Sequence, residues 1–141
     1  MPKKLSIALL IAVAVGACTL FASDNNINIP LKKLSPADGK GMYSNYCAPC
    51  HGVNGKGNGP LASSLKRTPP DLTILSRTNG GAFPAKHVIG VIGHGTSASG
   101  HDKAGMPVWA ETLGNMDQNN KLDTSLRLSN LSKYLGTLQS K

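Results

Sequence analysis

The stretch Cys47-Ala48-Pro49-Cys50-His51 restricts this chain more than anything else in it. Two thiols separated by two residues, with an imidazole directly behind the second, suit three chemistries. They can form a redox disulfide, supply half of a zinc site, or add to the two vinyl groups of a haem whose iron the histidine then meets. A redox disulfide with an internal proline belongs at a strand-to-helix junction inside a β-α-β layout, and no such alternation occurs along the chain. A structural zinc site needs four ligands, commonly two pairs. No second cysteine pair exists, Cys18 lies far upstream, and His87, His94 and His101 are not paired at a zinc-finger spacing. Only the third chemistry uses His51, which would offer a ring nitrogen to the iron. The pentapeptide is short, so its weight comes from its surroundings: a helix running into it and the glycine-rich HGVNGKGNGP after it.

The predicted elements are short helices. Ser35 serves as an N-cap, Pro36 as the first helical residue, and Asp38 lies in the first turn. Met42, Tyr43 and Tyr46 then share one side of a helix that ends in the cysteine pair. Gly39 and Gly41 each lower helix propensity by up to about 1 kcal/mol, which points to another backbone passing close there. The C-terminal helix is the clearest: Asp123 or Thr124 caps it, and Leu128, Leu131, Leu135 and Leu138 repeat at helical spacing beside Tyr134. Between the two, GVNGKGNGP reads as loop, LASSLKR as two helical turns, TPPDLT as extended chain around its prolines, and RTNGGAF as a turn. FPAKHVIGVIGHG reads as a helix entered through Pro84 in preference to a strand, residues 95–106 as loop, and PVWAETLGNM as a short helix.

Composition bears on what holds such a chain together and where it works. Among 141 residues only 4% are aromatic, with 16 Gly and 9 Pro. One thin-cored domain of that kind calls for a staple such as a metal, a disulfide or a prosthetic group. The start is a basic MPKK followed by the apolar LSIALLIAVAVGA, the layout of a secretory signal over residues 1–17. AVGAC resembles a bacterial lipobox, which implies a lipid-modified Cys18 holding the protein to a membrane. Two other readings stay open: cleavage after Ala17 leaving a soluble periplasmic protein, or an uncleaved anchor from Leu5 to Ala22, 18 residues long. All three place the folded part, residues 35–141, outside the cytoplasm, with residues 18–34 as lipidated end and tether. The net charge of +8 falls to +6 without Lys3 and Lys4, and it is scattered rather than blocked. Nucleic acid is therefore a poor partner, and an acidic patch on another protein a better one.

From about Ser35 to Gln139 the chain resembles the class I c-type cytochromes, through GKGMYSNYCAPCHGVNGKGNGP, PPDLT, NGGAFP and MPVW in that order. The resemblance implies an all-α cytochrome c fold, with short helices wrapped around one covalently attached haem c. Its first and last helices would cross at Gly39 and Tyr134. It implies thioethers at Cys47 and Cys50, His51 on the iron with its other N–H donated to the carbonyl of Pro70, and Leu72 against the haem. Trp109 is implied to reach a haem propionate, or else simply to pack.

The sixth iron position decides what a haem does: a methionine raises its potential, a second histidine lowers it, and a vacancy admits ligands. Met106 stands 55 residues after His51, behind a glycine-rich loop and before Pro107, and matches the distal-ligand segment of the family. Met42 reads as packing against the C-terminal helix and Met116 as surface or helix end. His94 and His101 read as residues of the glycine-rich loop, substitute ligands should Met106 not bind and otherwise exposed, and His87 reads as structural. Arg67 and Arg77 are candidates for the propionates, and Lys56, Lys66, Lys86 and Lys103 for steering a partner. The function expected is a non-enzymatic, single-electron carrier between respiratory redox proteins, membrane-anchored on the periplasmic side. A fixed electron-transfer subunit of a dehydrogenase or oxidase, a haem sensor or enzyme with an open sixth position, and a haem-free disulfide oxidoreductase are the alternatives.

Overall fold

The computed structural model describes residues 31–95, 106–116 and 120–140. The signal and lipidation readings at residues 1–17 and Cys18, most of the tether, His101 and Lys103 lie outside the described residues. Among those described there are helices and turns and no strand, as an all-α chain requires.

The first helical stretch has three parts in unbroken succession: α1 (Gly39–Met42), a wider π-type turn (Tyr43–Cys47) and α2 (Ala48–His51). Asp38, not Ser35, caps it, its Oδ1 accepting the Gly41 N–H at 2.7 Å. Ser35 instead closes the preceding turn, where its Oγ accepts the Ala37 N–H and its carbonyl the Asp38 N–H. The wide turn has a covalent origin. Pro49 has no N–H to give the carbonyl four residues back, and the Ala48 N–H reaches five residues back, to Tyr43 O. The stretch that carries both cysteines is thus rotated out of ordinary α-helical register just ahead of Cys47.

Past His51 a loop rich in glycine returns along the helix end and satisfies its last carbonyls. Gly52 N–H bonds Ala48 O, Leu61 N–H bonds Pro49 O, Gly59 N–H bonds Cys50 O and Gly57 N–H bonds His51 O, all between 2.8 and 3.1 Å. These are the four acceptors that a helix C-terminus leaves over. Gly57 is required twice: its φ is +75°, and a Cβ there would press on the backbone of Pro69. A single 3₁₀ turn (Ala62–Ser64) stands where two helical turns were expected. Residues 68–71 are extended as expected, but Leu72 and Thr73, read as extended with them, enter a 3₁₀ turn (Leu72–Ile74) followed by the one-turn α3 (Leu75–Thr78).

The longer helices are α4 (Ala85–His94), entered through Pro84 as the sequence indicates, α5 (Trp109–Met116) and α6 (Lys121–Thr137). The cap of α6 is Asn120, three residues before the predicted Asp123; its Oδ1 accepts from Leu122 N–H and Asp123 N–H. α6 packs on α1, α4 and α5, and α4 also packs on α5. Leu128, Leu131 and Leu135 of α6 are buried, each contributing about 1.5–3 kcal/mol. Gly39 lies against α6 at the residue expected. A Cβ there would stand 2.8 Å from the Asn130 carbonyl carbon, nearer still to its oxygen, and 3.3 Å from Tyr134 Cβ. Gly41 has a different reason: a Cβ there would meet the Asp38 carboxylate of its own cap.

Among the described residues the tyrosines and the tryptophan pack in pairs. Tyr43, Tyr46 and Trp109 are buried, Tyr43 tilts against Tyr134 at 5.2 Å, and Tyr46 stacks on Trp109 at 5.6 Å and 22°. Met42 is fully buried beneath α6, as read from the sequence; Met116 ends α5 but is packed on the core, with its sulfur 3.7 Å from the Tyr46 hydroxyl. The stretch entering the domain is fastened to it: Tyr46 OH donates to Lys32 O, Arg127 Nη1 to Leu34 O and Asn130 Nδ2 to Pro36 O. No helix of the described residues is long and apolar enough to cross a membrane.

Candidate haem site

Cys47, Cys50 and His51 come together at the end of the first helical stretch because they occupy one turn of it. Both cysteines are half-buried and not joined to each other, and His51 is buried. Burial pushes the Cys47 thiol up to about 12, with the neighbouring Cys50 adding to it, and burial raises Cys50 as well. A disulfide oxidoreductase needs the opposite, a thiol held as thiolate near neutrality. No cluster of three or more His, Cys, Asp or Glu side chains suited to a metal ion occurs among the described residues.

The structure brings His51 and Pro70 together: the ring Nδ1 faces the Pro70 carbonyl oxygen at 3.4 Å. A carbonyl can only accept, so this contact sets Nδ1 as the protonated nitrogen and presents Nε2 to a metal. The carbonyl is held by the residues that follow it. Downstream of it, Leu72 N–H donates to Gly55 O at 2.7 Å, tying the segment to the loop behind His51. Asp71 Oδ1 accepts from both the backbone and the hydroxyl of Thr73, at 2.8 and 2.6 Å. Those two hydrogen bonds hold the Asp71 carboxyl below its usual range, with smaller help from Lys56 and Arg77. Leu72 itself is half-buried against the core.

Tyr43 is a contributor that its sequence position did not reveal. Its hydroxyl donates to the Gly52 carbonyl at 2.7 Å inside the protein, fixing the turn that follows His51. Burial is the main cause, with Cys47 and then Tyr134 adding to it, of a phenol pushed up to about 12, so the group stays a donor at all working pH. Tyr43→Phe should leave that carbonyl unsatisfied and lower stability by about 1–2 kcal/mol. Urea unfolding of the haem-loaded protein would show it, and an unchanged midpoint would assign the hydroxyl no role.

The remaining candidates are dispersed. Met106 is half-buried against the core, and Trp109 is 3% exposed at the start of α5, stacked on Tyr46. Arg67 and Arg77 are exposed, as are Lys56, Lys66 and Lys86. His94 closes α4 instead of lying on a loop, and both it and His87, read from the sequence as structural, are exposed.

Two thiols and an imidazole on one helical turn, with the imidazole's outer nitrogen turned to a carbonyl, form the donor set that covalent haem attachment requires. A family model described as Cytochrome c matches residues 36–138. The search of curated proteins and the search of solved structures returned no match to the chain. With Cys47, Cys50 and His51 in the attachment motif, the chain belongs to the cytochrome c family, binds haem c covalently and serves haem-based electron transfer with redox proteins as partners.

Proposed function

We propose that this protein is a single-electron carrier of a respiratory chain, with His51 and Met106 as the two axial ligands of its haem. The observation that carries the reading is the buried His51 ring with Nδ1 turned to the Pro70 carbonyl at 3.4 Å. A histidine oriented in this way is a stronger and more rigid donor, and rigidity keeps reorganisation small when charge changes. Bound haem c supplies an iron that takes up and releases one electron. Cys47 and Cys50 fix the ring covalently, while Leu72 and Trp109 serve as apolar wall and propionate contact. Met106 is half-buried on the core, at the far end of the chain's distal segment, where a thioether would favour the ferrous state. The protein itself catalyses no reaction. It sits on the periplasmic side, tethered through a lipidated Cys18, and meets acidic patches on its partners through its net positive charge.

Optical spectra of protein made in a host with haem-attachment machinery test the ligand pair. The oxidised protein should show the weak far-red band of iron bound to sulfur. Met106→Ala should abolish that band completely, lower the potential and let the reduced protein bind carbon monoxide rapidly. Covalent haem without the band in the parent protein would overturn the Met106 assignment and favour a sensor or enzyme.

A further inference from the structure

The C-terminal end of α6 does more than close the fold. Gln139, just beyond the helix, uses one side chain to grip the segment that holds the His51-facing carbonyl. Its Nε2 donates to Leu72 O and to Leu135 O, both at 2.8 Å, and its Oε1 accepts the Ser76 N–H at 2.8 Å. Ser140 adds a second tie, with its N–H and its hydroxyl both on Thr73 O, at 2.8 and 2.9 Å. Pro70 stands two residues before Leu72, in extended chain whose φ the proline ring fixes. The opposite side of Leu72 is bonded to Gly55 in the loop after His51. A displacement of Leu72 is therefore passed on to the Pro70 carbonyl with little slack.

We propose that Gln139 is a positioning residue for the haem iron, acting through Leu72 and the Pro70 carbonyl on the electron donation of His51. This rests on His51 being the axial ligand. The amide completes a path from the residues after α6 to the imidazole: Gln139 to Leu72 by hydrogen bond, Leu72 to Pro70 along the backbone, and Pro70 to His51. The 3.4 Å separation at the last link is long for an N–H···O bond, so it is the link most sensitive to where the carbonyl is held. Weakening it makes the imidazole a poorer donor, and the ferric state, which needs that donation more, is disfavoured.

Gln139→Met keeps the length and neutrality of the side chain and removes its hydrogen bonds. In the haem-loaded full chain the variant should have a higher reduction potential than the parent. Its His51 Nδ1–H, followed by NMR in the ferrous state, should exchange with solvent about five- to tenfold faster. The sign of the potential separates positioning from mere loosening, because water entering a loosened haem shell would lower it. Both effects together support the proposal; a potential that is unchanged or falls, or an unchanged exchange rate, overturns it. If Gln139→Met does not hold haem, Gln139→Glu decides by exchange alone. It keeps the acceptor for Ser76 N–H and loses the donor to Leu72 O, so faster exchange supports the proposal and parental exchange overturns it. The parent protein serves as the control for the underlying reading. A ferrous spectrum without a coordinated-histidine ring N–H for His51 would remove the ligand assignment itself, a result distinct from a silent Gln139 variant.

Discussion

Gly39→Val should cost the folded protein about 3 kcal/mol, the upper end of what overpacking usually does. Opposing effects compete at this position. Replacing a helical glycine gains up to about 1 kcal/mol in helix propensity for alanine and less for a β-branched residue. Against that stands the backbone of α6, whose Asn130 carbonyl carbon lies 2.8 Å from where a Cβ must go. A carbonyl in mid-helix cannot step aside as a flexible side-chain end can, so the two helices must separate. Separation pulls Tyr43 from Tyr134, tilted against it at 5.2 Å, and strains the Asn130 amide's bond to Pro36 O. Gly39→Ala, with one carbon in place of three, has the full propensity gain to set against a smaller clash and should lose about 1–2 kcal/mol. Urea unfolding of the haem-loaded variants, followed by far-ultraviolet circular dichroism, measures both. Stability equal to the parent's in Gly39→Ala would mean that the helices do not cross so closely.

Such a crossing was legible at Gly39, a helix-weakening residue where the apolar pattern demands a helix, whereas Gly41, equally weak, answers to its own Asp38 cap and not to a neighbouring backbone. Cys47, Cys50 and His51 were legible for an even simpler reason, since their chemistry needs them adjacent in the chain. Where local signals compete, the sequence alone leaves a helix start uncertain by a turn. Ser35 and Asp38 are both good caps, and Ser35 is the one used in the turn before the helix. At α6 the error has a packing cause: Leu122 and Leu126 are 68% and 44% exposed, so the buried stripe that reveals the helix starts at Leu128, well after Asn120. The extended proline stretch was legible, but not the 3₁₀ turn that follows it, because its cap is formed by the side chain of Asp71 on Thr73. The clamp by Gln139 was invisible, since the two bonds that reach the proline segment join residues more than sixty positions apart.

Arg127 was the least legible residue of all, and the second large effect is expected there. Its spacing from Leu131 and Tyr134 puts it on the apolar stripe of α6, yet a charged residue is ordinarily assigned to the solvent side. In the fold it is 0% exposed, with Nη1 donating to Leu34 O at 2.7 Å and lying 3.7 Å from Met42 Sδ. Taking a guanidinium out of water costs several kcal/mol, which such contacts offset only in part. What the side chain contributes for certain is volume in the core and a donor to the segment entering the domain. Arg127→Ala removes both, leaving a cavity beside Met42 and the Leu34 carbonyl without its donor, and should cost about 3 kcal/mol or more. Arg127→Met fills most of that volume without a charge to desolvate and should cost about 1 kcal/mol or less. The two should still agree in one respect: both lose the bond to Leu34, so both should make residues 31–36 more open to limited proteolysis, held then by Tyr46 and Asn130 alone among the contacts described above. Equal destabilisation by methionine and alanine would show that the guanidinium's hydrogen bonding, rather than its bulk, keeps the first and last helices together.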